Sequence, residues 1–247
     1  MGKGRLVIVA TPIGNMGDIT ARALEALGSC DIVASEDTRK TGIFLKRLGI
    51  SRPQMSFHSF NEEAAGQRIA SEVESGKTVA LVSDAGTPGI SDPGFSIVRS
   101  LAEKGLEVTM APGPTAFVMA LVLSGLPCTS FTFRGFPPRS SSKRRRFFEQ
   151  DRESPHTLVY YESPHRLVES LSQLMEVMGD RQAALCNDLT KMYEKVLRGP
   201  ISRLLEELAG ENACLGEYVI VMEGIGKSEE RKPKGNKFKP EGDDHGK

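Results

Sequence analysis

Tryptophan is absent from this chain of 247 residues, and cysteine and histidine number only four each. Cys30, Cys128, Cys186 and Cys214 lie far apart and form no C-x-x-C pair. That scatter argues against a disulfide framework or a zinc ribbon and points to reduced thiols in a cytoplasmic protein. The histidines make no H-E-x-x-H pairing, so no metal is expected. Long hydrophobic runs are missing too. The longest mostly apolar stretch, Thr115 to Leu126, is too short to cross a bilayer. The opening "MGKGRLVIVATPIG" mimics a signal peptide, but its apolar core ends at Ala10, before Thr-Pro-Ile-Gly, as a strand entering a loop would. Neither G-x-G-x-x-G nor G-x-x-x-x-G-K-[ST] is present, so a ligand of this chain need not carry a phosphate.

Net charge is also missing, with 32 basic and 32 acidic residues, but the balance is local rather than uniform. Seven of the residues from Arg134 to Arg152 are Lys or Arg, against Glu149 and Asp151. The stretch from Lys227 to Lys247 holds seven basic and five acidic residues. The remainder is therefore acidic. A basic patch on an acidic body steers polyanions.

What is present is an alternation of strands and helices. Leu6–Ala10 reads as a strand covered on both faces. Asp18 caps a helix bearing Ile19, Ala23, Leu24 and Leu27, stopped by Gly28, and Ile32–Ala34 is a short strand. Asn61 caps a second helix, with Ala65, Ile69 and Val73 on one face and Gly76 closing it. Val79–Val82 is a strand, Asp92-Pro93 starts a helix that runs to Gly105, and Glu107–Ala111 is a strand. The alternation predicts a largely parallel sheet. After "APGPTAF" the pattern restarts. An apolar helix ends near Gly125, and Phe131–Phe136 is a strand. "PPRSSSKRRRFF" reads as an exposed loop leading into a helix, followed by a strand at Leu158–Tyr161. Ser163-Pro164 opens a helix through about Met178, and Ala183–Cys186 and Tyr218–Met222 are strands around the amphipathic "ISRLLEELAG". Two α/β domains follow, 1–112 and 113–225, with a disordered charged tail over 226–247.

Three turn-rich loops stand at predicted strand ends: Thr11–Asp18, Ser83–Gly94 and Pro112–Thr115. Ligands of open α/β sheets sit at that edge. Asp84 could accept hydrogen bonds from ribose hydroxyls or an ammonium, and nearby glycines let backbone approach a flat ring. Each loop alone reads equally as a tight turn with a self-capping aspartate. Glu36, Asp37, His58 and Glu62, near strand ends of the first half, are candidate proton acceptors, with no means of choosing among them. "EDTRKT" also places Arg39 and Lys40 beside two carboxylates, which is equally the pattern of a solvated salt-bridge cluster. In the basic run, Phe147 or Phe148 either stacks bases or faces the core.

The strings "LVIVATPIGNMGDITARALEAL", "VASEDTRKT", "VALVSDAGTPGISDPG", "APGPTA", "LVYYESPHR" and "GEYVIVMEG" resemble, in order, the tetrapyrrole methylase superfamily. They are most similar to its branch that methylates the 2′-oxygen of a cytidine ribose in bacterial 16S rRNA, at the decoding centre. Ser83-Asp84-Ala85-Gly86-Thr87-Pro88 stands where porphyrin and corrin methylases carry a Gly-Asp-Pro loop. The resemblance implies two α/β domains with S-adenosylmethionine (AdoMet) in the cleft between them, and a homodimer. It places Pro12, Asp84, Thr87, Ile90, Thr115, Ala116, Tyr161 and Glu162 at the cofactor, with Met222 and Gly224. A ribosomal substrate suits Arg39, Lys40, Arg139, Lys143, Arg144, Arg145 and Arg146 as phosphate contacts. Two alternatives stay open: a tetrapyrrole C-methyltransferase, and a ribosome-assembly factor that binds RNA without catalysis. Related chains often continue past the "VIVMEG" strand into a small helical region, where this chain has a short charged tail.

Overall fold

The computed structural model describes residues 4–209 and 214–225, so the expected tail at 226–247 lies outside the described residues. The first half builds one parallel sheet from β1 (Arg5–Val9), β2 (Ile32–Ser35), β3 (Gln54–Ser56), β4 (Thr78–Val82) and β5 (Glu107–Ala111), in the order β3-β2-β4-β1-β5. Side chains alternate along a strand, so each strand of a doubly covered sheet must feed two cores. Leu6 and Ile8 pack under α3 (Glu62–Glu74) and α4 (Phe95–Glu103). Val7 and Val9 pack with α1 (Ala21–Ser29) and α2 (Thr38–Arg47) on the other face. Because every strand runs the same way, all five C-terminal ends share one edge.

Three starts differ from the expectation. Thr20, not Asp18, caps α1, its hydroxyl accepting from the Ala23 N–H at 3.1 Å, while Asp18 ends a short 3₁₀ turn. Helix α4 begins at Phe95, so Asp92 is not its cap. Asn61 stands at the start of α3 but turns its side chain back to accept from the His58 N–H. Helix α2 was not expected at all. Only Thr41 and Leu45 of it are buried, too short a stripe to read as periodic.

The second sheet is mixed, where the first is parallel throughout. It joins β6 (Phe131–Gly135), β7 (Thr157–Glu162), β8 (Gln182–Asn187), β9 (Lys195–Pro200) and β10 (Tyr218–Met222) in the order β6-β7-β10-β8-β9. β10 runs antiparallel to both β7 and β8. Helix α5 (Ala116–Ser124) covers one face. The other face is covered by α6 (Ser141–Glu149), α7 (Leu167–Met178) and α8 (Ile201–Ala209). No helix among the described residues is long and apolar enough to cross a membrane.

The basic run is helical, not a loop, and it is split by the helical period. Residues 144 and 148 share a face. Phe148 is fully buried in the core and Phe147 packs at its edge under the Arg134 guanidinium, so neither ring is free to stack on a base. Arg144 is fully buried as well. Its Nε donates to Gln173 at 2.8 Å, and it pairs with Glu169 of α7. Replacing Arg144 with Ala should lower unfolding free energy by about 2–4 kcal/mol, the range for emptying a packed position. Lys143→Ala on the exposed face should change it by under about 0.5 kcal/mol. Urea denaturation of the two variants distinguishes these roles.

Candidate active site

At the shared edge of the first sheet, two loops are stitched together. Thr11 N–H donates to the Gly86 carbonyl at 2.8 Å, and Gly86 N–H returns a bond to the Thr11 carbonyl at 3.1 Å. Gly86 needs its freedom here: φ is +78°, and a Cβ would stand 3.3 Å from the Ile13 side chain. The next residue, Thr87, shares a hydroxyl–hydroxyl bond of 2.9 Å with Thr115 at the start of α5. The loop that ends β4 is thereby tied to the second half. On the facing wall, the Tyr161 hydroxyl accepts from the Phe117 N–H at 3.2 Å. Burial pushes its pKa up to about 12, so it stays a neutral phenol. Phe136 tilts against it with ring centres 5.3 Å apart.

Between these walls lies a cavity of about 420 Å³, a size that suits a small organic ligand. Of the residues assigned to the cofactor by resemblance, Asp84, Thr87, Ile90, Thr115, Ala116, Tyr161 and Glu162 line it. Pro12 lines an adjoining groove instead. Met222 and Gly224 are elsewhere, which is a correction. β10 is antiparallel, so its first residue, Tyr218, pairs with Glu162 at the cleft, whereas Met222 pairs with Leu158 at the far end of the sheet. Met222 is fully buried in core, and a Cβ on Gly224 would collide with Pro155 and His156. The start of that strand contributes Glu217, Tyr218 and Val219 to the cavity, and the turn after β8 contributes Leu189. A parallel reading of the sheet hides all four.

The lining contains no lysine, arginine or histidine, but four carboxylates: Asp84, Asp92, Glu162 and Glu217. Three are held by cations. Lys40 Nζ reaches Asp84 at 2.6 Å, which raises the lysine's pKa. Arg166 reaches the buried Glu162 at 2.6 Å, and Lys191 reaches Glu217 at 2.9 Å. Asp92 has no ion pair among the described residues, and burial lifts its pKa to about 6. Sequence reasoning missed it by reading Asp92-Pro93 as a helix start. The four expected proton acceptors do not line the cavity. Asp37 caps α2 and also binds the Arg39 side chain, which holds its carboxyl below the usual range. Glu62 accepts from the Gly94 N–H at 3.2 Å. His58 sits edge-on to Phe60, and Glu36 follows the end of β2 within electrostatic reach of Asp92.

The adjoining groove, about 290 Å³, is of opposite character: Lys40, Arg47 and Lys191 border it, beside Asp84 and Glu217. Thr11 also borders it, and its hydroxyl is buried without a partner among the described residues. Of the expected RNA contacts, Arg39 is 90% exposed and Arg139, Lys143 and Arg146 are not buried. Arg144 is a correction, because it is core. Arg145 is exposed and pairs with Glu149 at 3.3 Å and Glu176 at 3.0 Å.

Residues 5–205 match the family described as Tetrapyrrole (Corrin/Porphyrin) Methylases. Over 92% of its length the chain is 43% identical to a protein of Halalkalibacterium halodurans named "Ribosomal RNA small subunit methyltransferase I", covering 78% of that protein. Proteins of the same name from Bacillus subtilis and Thermotoga maritima are 42% and 39% identical, over 92% and 90% of this chain and 77% and 99% of theirs. In fold it is similar to uroporphyrin-III-C-methyltransferase from Thermus thermophilus, with a TM-score of 0.61 at 22% identity over 89% of this chain and 94% of that one. A diphthine synthase gives a TM-score of 0.67 at 16% identity, over 89% and 90% of the two chains. With matched residues spanning both sheets and both walls of the cleft, the chain belongs to the tetrapyrrole methylase family.

Proposed function

We propose that this chain methylates the 2′-oxygen of a cytidine ribose in 16S rRNA, using AdoMet, with the small ribosomal subunit as substrate. The observation that carries the reading is the cavity's chemistry. A lining of apolar and aromatic side chains with four carboxylates and no cation suits a flat, net-positive ligand without phosphate. Asp84, Thr87 and Thr115 offer the polar partners for ribose and amino-acid portions. Ile90, Ala116 and Val219 offer apolar surface for the adenine. AdoMet supplies a methyl group already activated on a sulfonium, so what remains for the chain is to align the hydroxyl and exclude water. The names of the relatives supply the substrate. Residues 1–112 and 113–225 serve as the two domains that enclose the cofactor, and the cytoplasm, where ribosomes assemble, is the place of action.

The groove lined by Lys40, Arg47 and Lys191 is the route for the RNA strand, because it opens beside Asp84 and presents the cations the cavity lacks. Arg39, beside Lys40, and the exposed Arg139, Lys143 and Arg146 around α6 offer further cations to phosphate. A second copy of the chain covers helix α5. Its Val122 is 68% exposed and Val118 is 47% exposed, next to Phe131, whose ring centre lies 6.1 Å from that of Phe117.

Titration calorimetry should show AdoMet binding that Asp84→Ala weakens about 10- to 100-fold, the loss of a hydrogen bond to a charged group. Methylation of purified small subunits should then appear as one new block to alkaline cleavage at a cytidine. Absence of both heat and block removes the reading. Arg139, Lys143 and Arg146 replaced together by Ala should lower the slope of log K against log salt by about 2–3. An unaltered slope removes those side chains from the RNA. Sedimentation equilibrium should give a dimer that Val122→Arg converts to monomer; a wild-type monomer at micromolar concentration removes the dimer.

A further inference from the structure

Asp92 is the one cavity carboxylate left uncommitted. Its oxygens have no cation within reach among the described residues, and its polar neighbour is Ser83, whose hydroxyl donates to the Ala85 carbonyl at 3.1 Å. The segment that presents it is held firmly. Ser91, just before it, has φ +62°, a left-handed backbone that a serine adopts only under constraint. Pro93, just after it, accepts from the Gly89 N–H at 3.2 Å, and Gly94 is tied to Glu62. The groups facing Asp92 are Glu36 after β2, Asp84 after β4 and the neutral Tyr161 from β7. Nearby cations are engaged: Lys40 by Asp84 and Arg166 by Glu162.

We propose that Asp92 is the catalytic base that takes the proton from the ribose 2′-hydroxyl. The inference rests on the methyltransfer reading above. As the hydroxyl oxygen forms its bond to the methyl carbon, the O–H bond breaks and the proton passes to an Asp92 oxygen. The carbon's bond to sulfur breaks with its electron pair left on sulfur, giving a neutral thioether. Asp92 then returns the proton to solvent. A base of pKa about 6 is ionised at neutral pH, yet binds a proton better than an exposed aspartate does. Dryness and the neighbouring carboxylates Glu36 and Asp84 both act in that direction.

Asp92→Asn keeps the shape and removes the base. The expected result, at AdoMet concentrations that calorimetry shows to saturate each protein, is single-turnover methyl transfer slowed about 100-fold or more. The wild-type rate should climb tenfold per pH unit below about 6 and level off above it, and the variant should lack that inflection. A second readout needs no cofactor. The folded state holds the Asp92 proton more tightly than the unfolded chain does, so wild type loses stability as pH rises from about 4 through 6. The variant should therefore melt higher than wild type at pH 8 and level with it at pH 4. A rate equal to wild type at saturating AdoMet, or a melting difference independent of pH, overturns the assignment. A wild-type chain that binds AdoMet yet transfers no methyl to the subunit overturns the substrate reading together with the base. An active wild type beside an unimpaired variant overturns only Asp92.

Discussion

The cleft depends on the reciprocal pair of backbone hydrogen bonds between Thr11 and Gly86. Parallel strands end with their carbonyls pointing into the loops, and left alone those loops would splay. The pair makes one short antiparallel step out of two loop starts, so the ends of β1 and β4 behave as a single rigid lip. Thr87 then hands that rigidity to α5 through Thr115. Each link is modest in energy, about 1 kcal/mol net for an ordinary hydrogen bond. Their importance is geometric, since the first half's wall of the cavity comes from loops that no sheet ladder restrains.

Charge is sorted by compartment. The cavity holds carboxylates and the groove beside it holds ammonium and guanidinium groups, with Asp84 and Glu217 on the boundary. The boundary pairs join opposite signs at the junction, Lys40 with Asp84 at 2.6 Å and Lys191 with Glu217 at 2.9 Å. A net-positive small molecule and a polyanion can occupy adjacent space only if the field changes sign between them, and these pairs mark where it does.

Much of this was legible in the sequence. Apolar runs bounded by Gly and Asp located the strands and helices of the first half other than α2 and β3, because buried parallel strands are continuous blocks. The turn-rich loops at strand ends located one wall of the cavity for the same reason. What stayed hidden was long-range. Strand direction in the second sheet is decided by pairing partners, so Met222 and Gly224 stood in for Glu217 and Val219. The basic run looked uniform until a helix turned Arg144 inward and Lys143 outward. Asp92 carried a familiar helix-start pattern, and only the observed start of α4 at Phe95 released it for other work.

Among the described residues, only three that bear side chains adopt left-handed backbone: Ser91, Asp188 and Thr190. All three stand beside the ligand cleft, flanking Asp92 or Leu189. The molecule's torsional tension is thus gathered at one rim while its two sheets are relaxed. Backbone held in this way keeps its shape when the cleft is empty, so a small molecule meets walls already set.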